Sequence, residues 1–391
     1  MQQYADIEIL FISHKSPPAT GGMEKQSYEL INGTALYLKV HTLVYDHKEP
    51  LWIFFLKLNA RIIKLLKANP DIQALHFNDG LLASFATFHS GYEHVKKTAT
   101  LHGLDIVYPL SFFQKKIIPR FNSFDVIFAV SEATAKAALD RGIKAEIIQT
   151  IPNGVDTTPT IDQDNEHSIY QRYPTLQPEK KYFITLGRSV KRKGFSWLIQ
   201  HVVPHLKGDF QLVMLGPYSS KKTIKDRVLS LLPKKLRSLS MLFLGYPSDQ
   251  EMLQKLLPKQ NPKVVHLGKV SHDDLQTLMK GSMAFLMPNI AVPGDMEGFG
   301  LVCLEASIAG SLVIASNLEG ISSAIQHHKN GFLVPSKDDI AWRSVLQNVI
   351  NETESFRALA SPYTEYTRLN YSWDKMARAY SHAFIEICRK N

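Results

Sequence analysis

The chain has 391 residues, 45% apolar and 21% charged, with a formal charge of +9 and a pI near 9.2. This composition is ordinary for a globular protein and gives no sign of disorder, and the length exceeds what one hydrophobic core ordinarily supports, so two domains are expected. The positive balance favours an anionic partner, whether nucleic acid, a membrane surface or a phosphorylated small molecule, without choosing among them.

The N-terminus "MQQYADIEILFISHK" carries acids and runs straight into an apolar strand pattern, without the basic start and cleavage site of a secretory leader. No run approaches the roughly 18 unbroken apolar residues of a membrane span. Cys303 and Cys388 are too few for a disulfide framework or a cysteine metal site. A soluble cytoplasmic protein is the expectation.

Short apolar runs then alternate with helical patterns: "IEILFIS" and "MEKQSYELINGTALY", "IQALHF" and a helix, "TATLHG", "DVIFAVS" and "EATAKAALDRG", then "EIIQTIPNG". This is the mark of a parallel sheet with crossover helices. The pattern lapses between Asp156 and about Lys180, a stretch rich in Pro, Thr, Asp and Gln that reads as a linker. It resumes in "KYFITLGRS", "FQLVMLG", "KVVHLGKV", "MAFLMPN", "SLVIASN" and "NGFLVPS". The expected fold class is α/β with two Rossmann-like, doubly wound domains, residues 1–172 and 178–372, facing an interdomain cleft where such sheets bind ligands. The terminal stretch 373–391 has helical spacing and could pack back on the first domain.

Within the second half, "GDMEGFGLVCLE" at 294–305 sets Glu297 and Glu305 eight positions apart around a helix expected to open near Gly300. Free N–H groups at that end suit a phosphate, and the two carboxylates suit hydroxyls rather than the like-charged phosphate. Acids near a helix N-terminus also simply favour its dipole. "FITLGRSVKRKG" adds Arg188, Lys191, Arg192 and Lys193 at the end of a strand, where cations can neutralise a diphosphate. Lys191 and Arg192 read as a solvated charge run. Gly21 and Gly22 lie between a strand and a helix, another place for backbone to approach phosphate, and the absence of G-x-G-x-x-G there argues against a dinucleotide dehydrogenase.

Together "GDMEGFGLVCLEA", "LGRSVKRKG", "PPATGGME", "TLHGLD", "VSEATAKAAL", "IPNGVD" and "HLGKVSHDDLQTLM" resemble segments of the retaining family-four glycosyltransferases of the GT-B fold, whose E-x7-E motif matches Glu297 and Glu305. The resemblance implies that Arg188 and Lys193 hold the diphosphate of a nucleotide-sugar donor, helped by the backbone of Gly298, Phe299, Gly300 and Leu301. It further implies that Glu305 takes the ribose hydroxyls, Glu297 the hydroxyls of the transferred sugar, Leu267 the surroundings of the base, Gly21 and Gly22 the donor phosphates from across the cleft, and His102 the side of the sugar ring. Transfer of a hexose-type sugar to a glycan or lipid-linked acceptor, in cell-surface polysaccharide or glycolipid synthesis, is the implied activity, with no cofactor, no metal and no nucleic-acid partner. Two departures bear on donor geometry: Pro217 and Tyr218 follow Gly216 where the family often has a second glycine, and "EGISSA" puts Ser323 at a glutamate position.

"SFFQKKIIPRF" at 111–121 and "LWIFFLKLNARIIKLLK" at 51–67 interleave apolar and basic residues and could dock on an anionic membrane at its inner face. Core helices with basic outer faces are the alternative, more so for the second. Asp162 and Asp164 form a D-x-D in the linker with no strand before it, and the adjacent His327 and His328, taken as helical, would diverge by about 100°. Neither pair is expected to bind metal. A sugar-nucleotide epimerase or hydrolase, and a non-catalytic polyanion- or membrane-binding protein, are the competing functions.

Overall fold

The computed structural model describes residues 6–17, 21–158, 166–219, 231, 233–243 and 245–389. These form two compact units, one made of the residues up to Gly154 with those from Tyr371 onward, the other of Val155–Asn370.

The first unit carries strands β1 (Glu8–Ser13), β2 (Lys39–Val44), β3 (Ile72–Phe77), β4 (Lys96–Leu101), β5 (Val126–Ala129) and β6 (Ile148–Thr150) in the parallel order β2-β1-β3-β4-β5-β6. β1 is buried throughout because helices cover both faces of a parallel sheet, which is why it reads as an unbroken apolar run. β2 is an edge strand with every residue at least partly exposed, and its mixed pattern "KVHTLV" escaped the strand expectations above. Connections leave β1 toward β2 on one side and β3 toward β4 on the other, so the loops after β1 and β3 flank a switch point.

Helix Trp373–Arg389 packs on this unit. Its buried Met376, Ala377, Tyr380, Ala383, Phe384 and Ile387 recur at helical spacing, the Tyr380 hydroxyl meets Thr100 Oγ1 at 3.0 Å, and the Phe384 ring lies edge-on to Phe11. A Cβ on Gly33 would come within 2.6 Å of Ala377 Cβ, so the helix Gly22–Thr34 needs a glycine to approach so closely.

The second unit repeats the plan with β7 (Lys181–Leu186), β8 (Phe210–Leu215), β9 (Val264–Gly268), β10 (Ala284–Met287), β11 (Val313–Asn317) and β12 (Phe332–Pro335) in the parallel order β12-β11-β10-β7-β8-β9. The two-residue period of a strand sends Phe183, Leu212, Leu286 and Ile314 into one apolar cluster and Ile184, Val213, Phe285 and Ala315 into the other. Its switch point lies between β7 and β10.

The expected boundary at 172 is corrected to Gly154/Val155. Much of the presumed linker is helix Glu166–Arg172 and the turn after it, which bury Ile169 and Leu176 in the second core, and Arg172 and Tyr173 hold the two oxygens of Asp274 at 2.5 and 2.8 Å. The polar surface of this helix masked it in the sequence. Among the described residues, no helix is long and apolar enough to cross a membrane.

Candidate functional site

At the second unit's switch point, β7 runs into Gly187–Gly194, and β10 into a long loop that ends at Gly300. The two loops are stitched together by the Ile290 N–H donating to the Arg192 carbonyl at 2.8 Å. Gly194 is left-handed at φ +67°, and a Cβ there would overlap the Pro288 carbonyl oxygen, so this turn requires glycine. It aims Lys193 inward.

One carboxylate oxygen of Glu297 receives Lys193 Nζ at 2.7 Å, Asn289 Nδ2 at 3.0 Å and the Arg192 guanidinium. Arg192 also reaches Asp295 through Nε at 3.2 Å. The Glu297 N–H donates to Glu319 Oε2 at 2.6 Å, and the Gly320 N–H returns to the Glu297 carbonyl at 3.0 Å. Burial alone would raise the Glu297 carboxyl, yet the adjoining guanidinium and ammonium hold it at about 2. Burial pulls the Lys193 ammonium below its ordinary value, partly offset by Glu297. Burial lifts Glu319 to about 6, with the Glu297 charge adding to the rise. Glu319 sits at φ +50°, a left-handed conformation unusual for a residue other than glycine.

Arg192 therefore departs from the expectation of a solvated charge: its side chain is 15% exposed and joins three carboxyl-bearing residues into one network. Lys191 is exposed, as expected of a surface cation. In a run reading "VKRKG", a 3-10 turn over Lys191–Lys193 decides which cations point in, and sequence spacing does not reveal it.

Arg188 is exposed, with Nη1 donating to the Gly245 carbonyl at 2.9 Å. Gly300 is left-handed at φ +87° and starts helix Leu301–Ile308, with Phe299 buried and Leu301 half-buried before the half-buried Glu305, one turn in. Gly298 is pinned from outside, since a Cβ on Gly320 would overlap its carbonyl. Leu267 lies near the end of β9 and packs against the second core; beside it the His266 ring stacks on Tyr218, and burial lowers that imidazole to about 4.

In the first unit, Gly21 precedes helix Gly22–Thr34 and both glycines are exposed. His102 follows β4, is half-buried, and makes a 2.8 Å contact from Nε2 to the Asn78 carbonyl. A carbonyl only accepts, so Nε2 carries a proton and donates. Its backbone N–H is fixed by Asp105 at 2.9 Å, and Asp105 also accepts from the Gly80 N–H at 3.0 Å.

Sequence reading passed over the residues at this unit's own switch point. His14, at the end of β1, sets Nδ1 2.9 Å from Asp79 Oδ2 after β3, both side chains buried. The other Asp79 oxygen caps helix Gly80–Ala86 by accepting from Leu81 and Leu82. Burial would raise Asp79, but His14 and the helix N–H hold it below the ordinary carboxyl range. Behind them Asn78 Nδ2 donates to Gln26 Oε1 at 3.0 Å, both residues buried. A strand order with β1 beside β3 is the signal that joins residues so far apart in sequence.

Asp162 and Asp164 lie outside the described residues. His327 and His328 are not helical, and their rings approach to 3.9 Å between centroids rather than diverging. Among the described residues, no group of three His, Cys, Asp or Glu side chains could hold a metal ion.

Residues 6–159 match the family described as Glycosyltransferase Family 4, and residues 227–365 the family described as Glycosyl transferases group 1. The Schizosaccharomyces pombe phosphatidylinositol N-acetylglucosaminyltransferase gpi3 subunit is 23% identical over 93% of this chain and 71% of its own. A D-inositol 3-phosphate glycosyltransferase from Jonesia denitrificans is 37% identical, but over only 22% of this chain and 20% of its own length. Among solved structures, Anabaena HepE in complex with UDP and glucose superimposes with a TM-score of 0.71 at 16% identity, covering 97% of this chain and 99% of that one, a likeness of fold. With two non-overlapping family matches over most of its length and this two-sheet architecture, the chain belongs to the family 4, group 1 glycosyltransferases of the GT-B fold, and is a transferase.

Proposed function

We propose that the protein transfers a hexose-type sugar, with retention of configuration, from a nucleoside diphosphate sugar to a glycan or lipid-linked acceptor in cell-surface polysaccharide or glycolipid synthesis on the cytoplasmic side of a membrane. The observation that carries this reading is the buried Lys193–Glu297 pair beside the left-handed Gly300 that opens helix Leu301–Ile308, at the switch point of the second sheet. As the anomeric C–O bond breaks, charge builds on the leaving diphosphate, and Arg188, Lys193 and the N–H groups following Gly298 are the groups to stabilise it. Glu305 takes the ribose hydroxyls, Leu267 borders the base, and Glu297, held ionised by its cations, takes hydroxyls of the sugar. The acceptor oxygen bonds to the anomeric carbon on the face the diphosphate leaves, and its proton passes to the leaving phosphate oxygen. Gly21 and Gly22 are assigned to the donor phosphates and His102 to the sugar. The gpi3 relative's name, with its phosphatidylinositol, supports a lipid-linked acceptor. No metal is assigned a role, so turnover should survive a chelator.

Thermal-shift screening of nucleoside diphosphates and their sugar conjugates identifies the donor, since a ligand that binds the native state raises its melting temperature. Transfer should then fail in Glu297→Ala and weaken in His102→Ala. Full turnover by a folded Glu297→Ala protein would remove the assignment, and isomerisation or hydrolysis of the donor that no acceptor diverts would replace transfer with an epimerase or hydrolase.

A further inference from the structure

We propose that one face of the first unit, built from helix Leu51–Leu56, the end of helix Gly80–Ala86 and the segment 110–120, is a docking surface for an anionic membrane. The inference stands on this face alone and does not depend on the transfer reading.

Helix Leu51–Leu56 buries Phe54 and Phe55 but leaves Trp52 66% and Leu56 75% exposed, one turn apart on the same side. Phe55 stacks on Phe85 at 4.6 Å between centroids, which joins this helix to Gly80–Ala86. Just beyond, Phe88 is 60% exposed, and the Arg120 guanidinium covers its ring at 4.3 Å, tying in the turn Ile118–Ser123. Phe112, 63% exposed, precedes that turn on the same segment. Every exposed Trp and Phe among the described residues, Trp52, Phe85, Phe88 and Phe112, is in this set, whereas the exposed Leu, Met and Ile side chains of the second unit are scattered and include no aromatic ring. Single exposed apolar residues are ordinary, but four exposed aromatic rings on linked segments of one unit are not.

Charge selects the occupant. Lys115 and Lys116 are exposed and, with Arg120, have no carboxylate within ion-pair distance among the described residues. The nearby Glu49 is already held by Arg61 and Lys57. A second copy would set this basic face against itself, and lysine is depleted from protein interfaces, whereas aromatic rings with bare lysines match a bilayer interface with anionic headgroups. The alternative of a core helix holds for Leu58–Ala68, which buries Leu58, Ile62 and Leu66 and turns Lys64 and Lys67 outward.

The test is co-sedimentation of the full chain with phosphatidylcholine vesicles, with and without phosphatidylglycerol, at low and high salt and without sugar nucleotide. Binding is expected only with phosphatidylglycerol and should weaken with salt. The pair Lys115→Glu, Lys116→Glu should lower the partition coefficient on the order of tenfold or more, and Trp52→Ser, Leu56→Ser should lower it with little change in its salt dependence. Melting temperatures should match the parent because all four side chains are exposed. No binding to the anionic vesicles, or unchanged binding by both variants, overturns the proposal. So does a change in self-association by analytical ultracentrifugation without a change in vesicle binding, which would make the face a contact between copies.

Discussion

The two switch points share a topology and differ in chemistry. Between β7 and β10, Glu297 is locked by Arg192 and Lys193, with Asp295 and Glu319 attached, so charge is concentrated and internally compensated. Between β1 and β3, the buried Asp79 carboxylate meets His14 with the neutral Asn78 and Gln26 behind it, and a second carboxylate, Asp105, sits close by at the Gly80 N–H. A buried ion pair of the first kind contributes little net stability over apolar residues of the same volume, so its use is better sought in binding: an incoming diphosphate can substitute for carboxylate as the partner of the cations. The second kind suits ligands that bring hydroxyls.

The comparison breaks most sharply at Lys193. Lys193→Ala should lower kcat by about 10²–10³ or more, the usual cost of losing a group that stabilises the leaving charge. It also takes from Glu297 one of its two cations, leaving Arg192 and Asn289, so Lys193→Met with Glu297→Leu, which removes the pair together, is the sharper version. The double variant should regain its melting temperature while transfer stays lost, and a stable double variant that still turns over would show the pair to be structural.

Gly194→Ala comes next. Its left-handed backbone and the Pro288 carbonyl both oppose a side chain, so urea unfolding should show a loss of about 1–3 kcal/mol or more, with the turn that aims Lys193 displaced. On the other side of the comparison, Asp79→Ala removes a helix cap and the partner of His14, for about 1–2 kcal/mol by the same measurement. An unchanged midpoint would deny Asp79 its structural part.

The smallest effect belongs to Glu319. Its folded-state carboxyl is raised, so the native state binds more protons than the unfolded chain between about pH 4.5 and about 6, and this group makes stability fall as pH rises through that window. Glu297 has the opposite sign: its stabilisation is full above the ordinary carboxyl range and is lost as pH falls toward about 2. Glu319→Gln keeps an acceptor for the Glu297 N–H and should raise the melting temperature more at pH 7 than at pH 4.5. Equal shifts at both values would contradict the assignment.

Much of this architecture was legible in sequence because parallel strands covered on both faces are continuous apolar runs, as in "EILFIS" and "FQLVML". β2 was not, because an edge strand half open to solvent loses that signature. The E-x7-E spacing and the glycines around it led to the helix at Gly300, since local backbone geometry is written in neighbouring residues. Arg192 and His14 were hidden for a different reason. Their partners come from other loops, and only a strand order brings them within reach.

Helix Trp373–Arg389 also sets an order of events during synthesis. Val155–Asn370 is one uninterrupted stretch and can close its own core as soon as it has emerged from the ribosome. The unit begun first must wait for the residues from Tyr371 onward, with Phe11 and Phe128 lacking the cover that Phe384 and Tyr380 later supply. A nascent chain stopped short of residue 373 would therefore present a finished second half joined to an unsealed first half, a natural target for a chaperone.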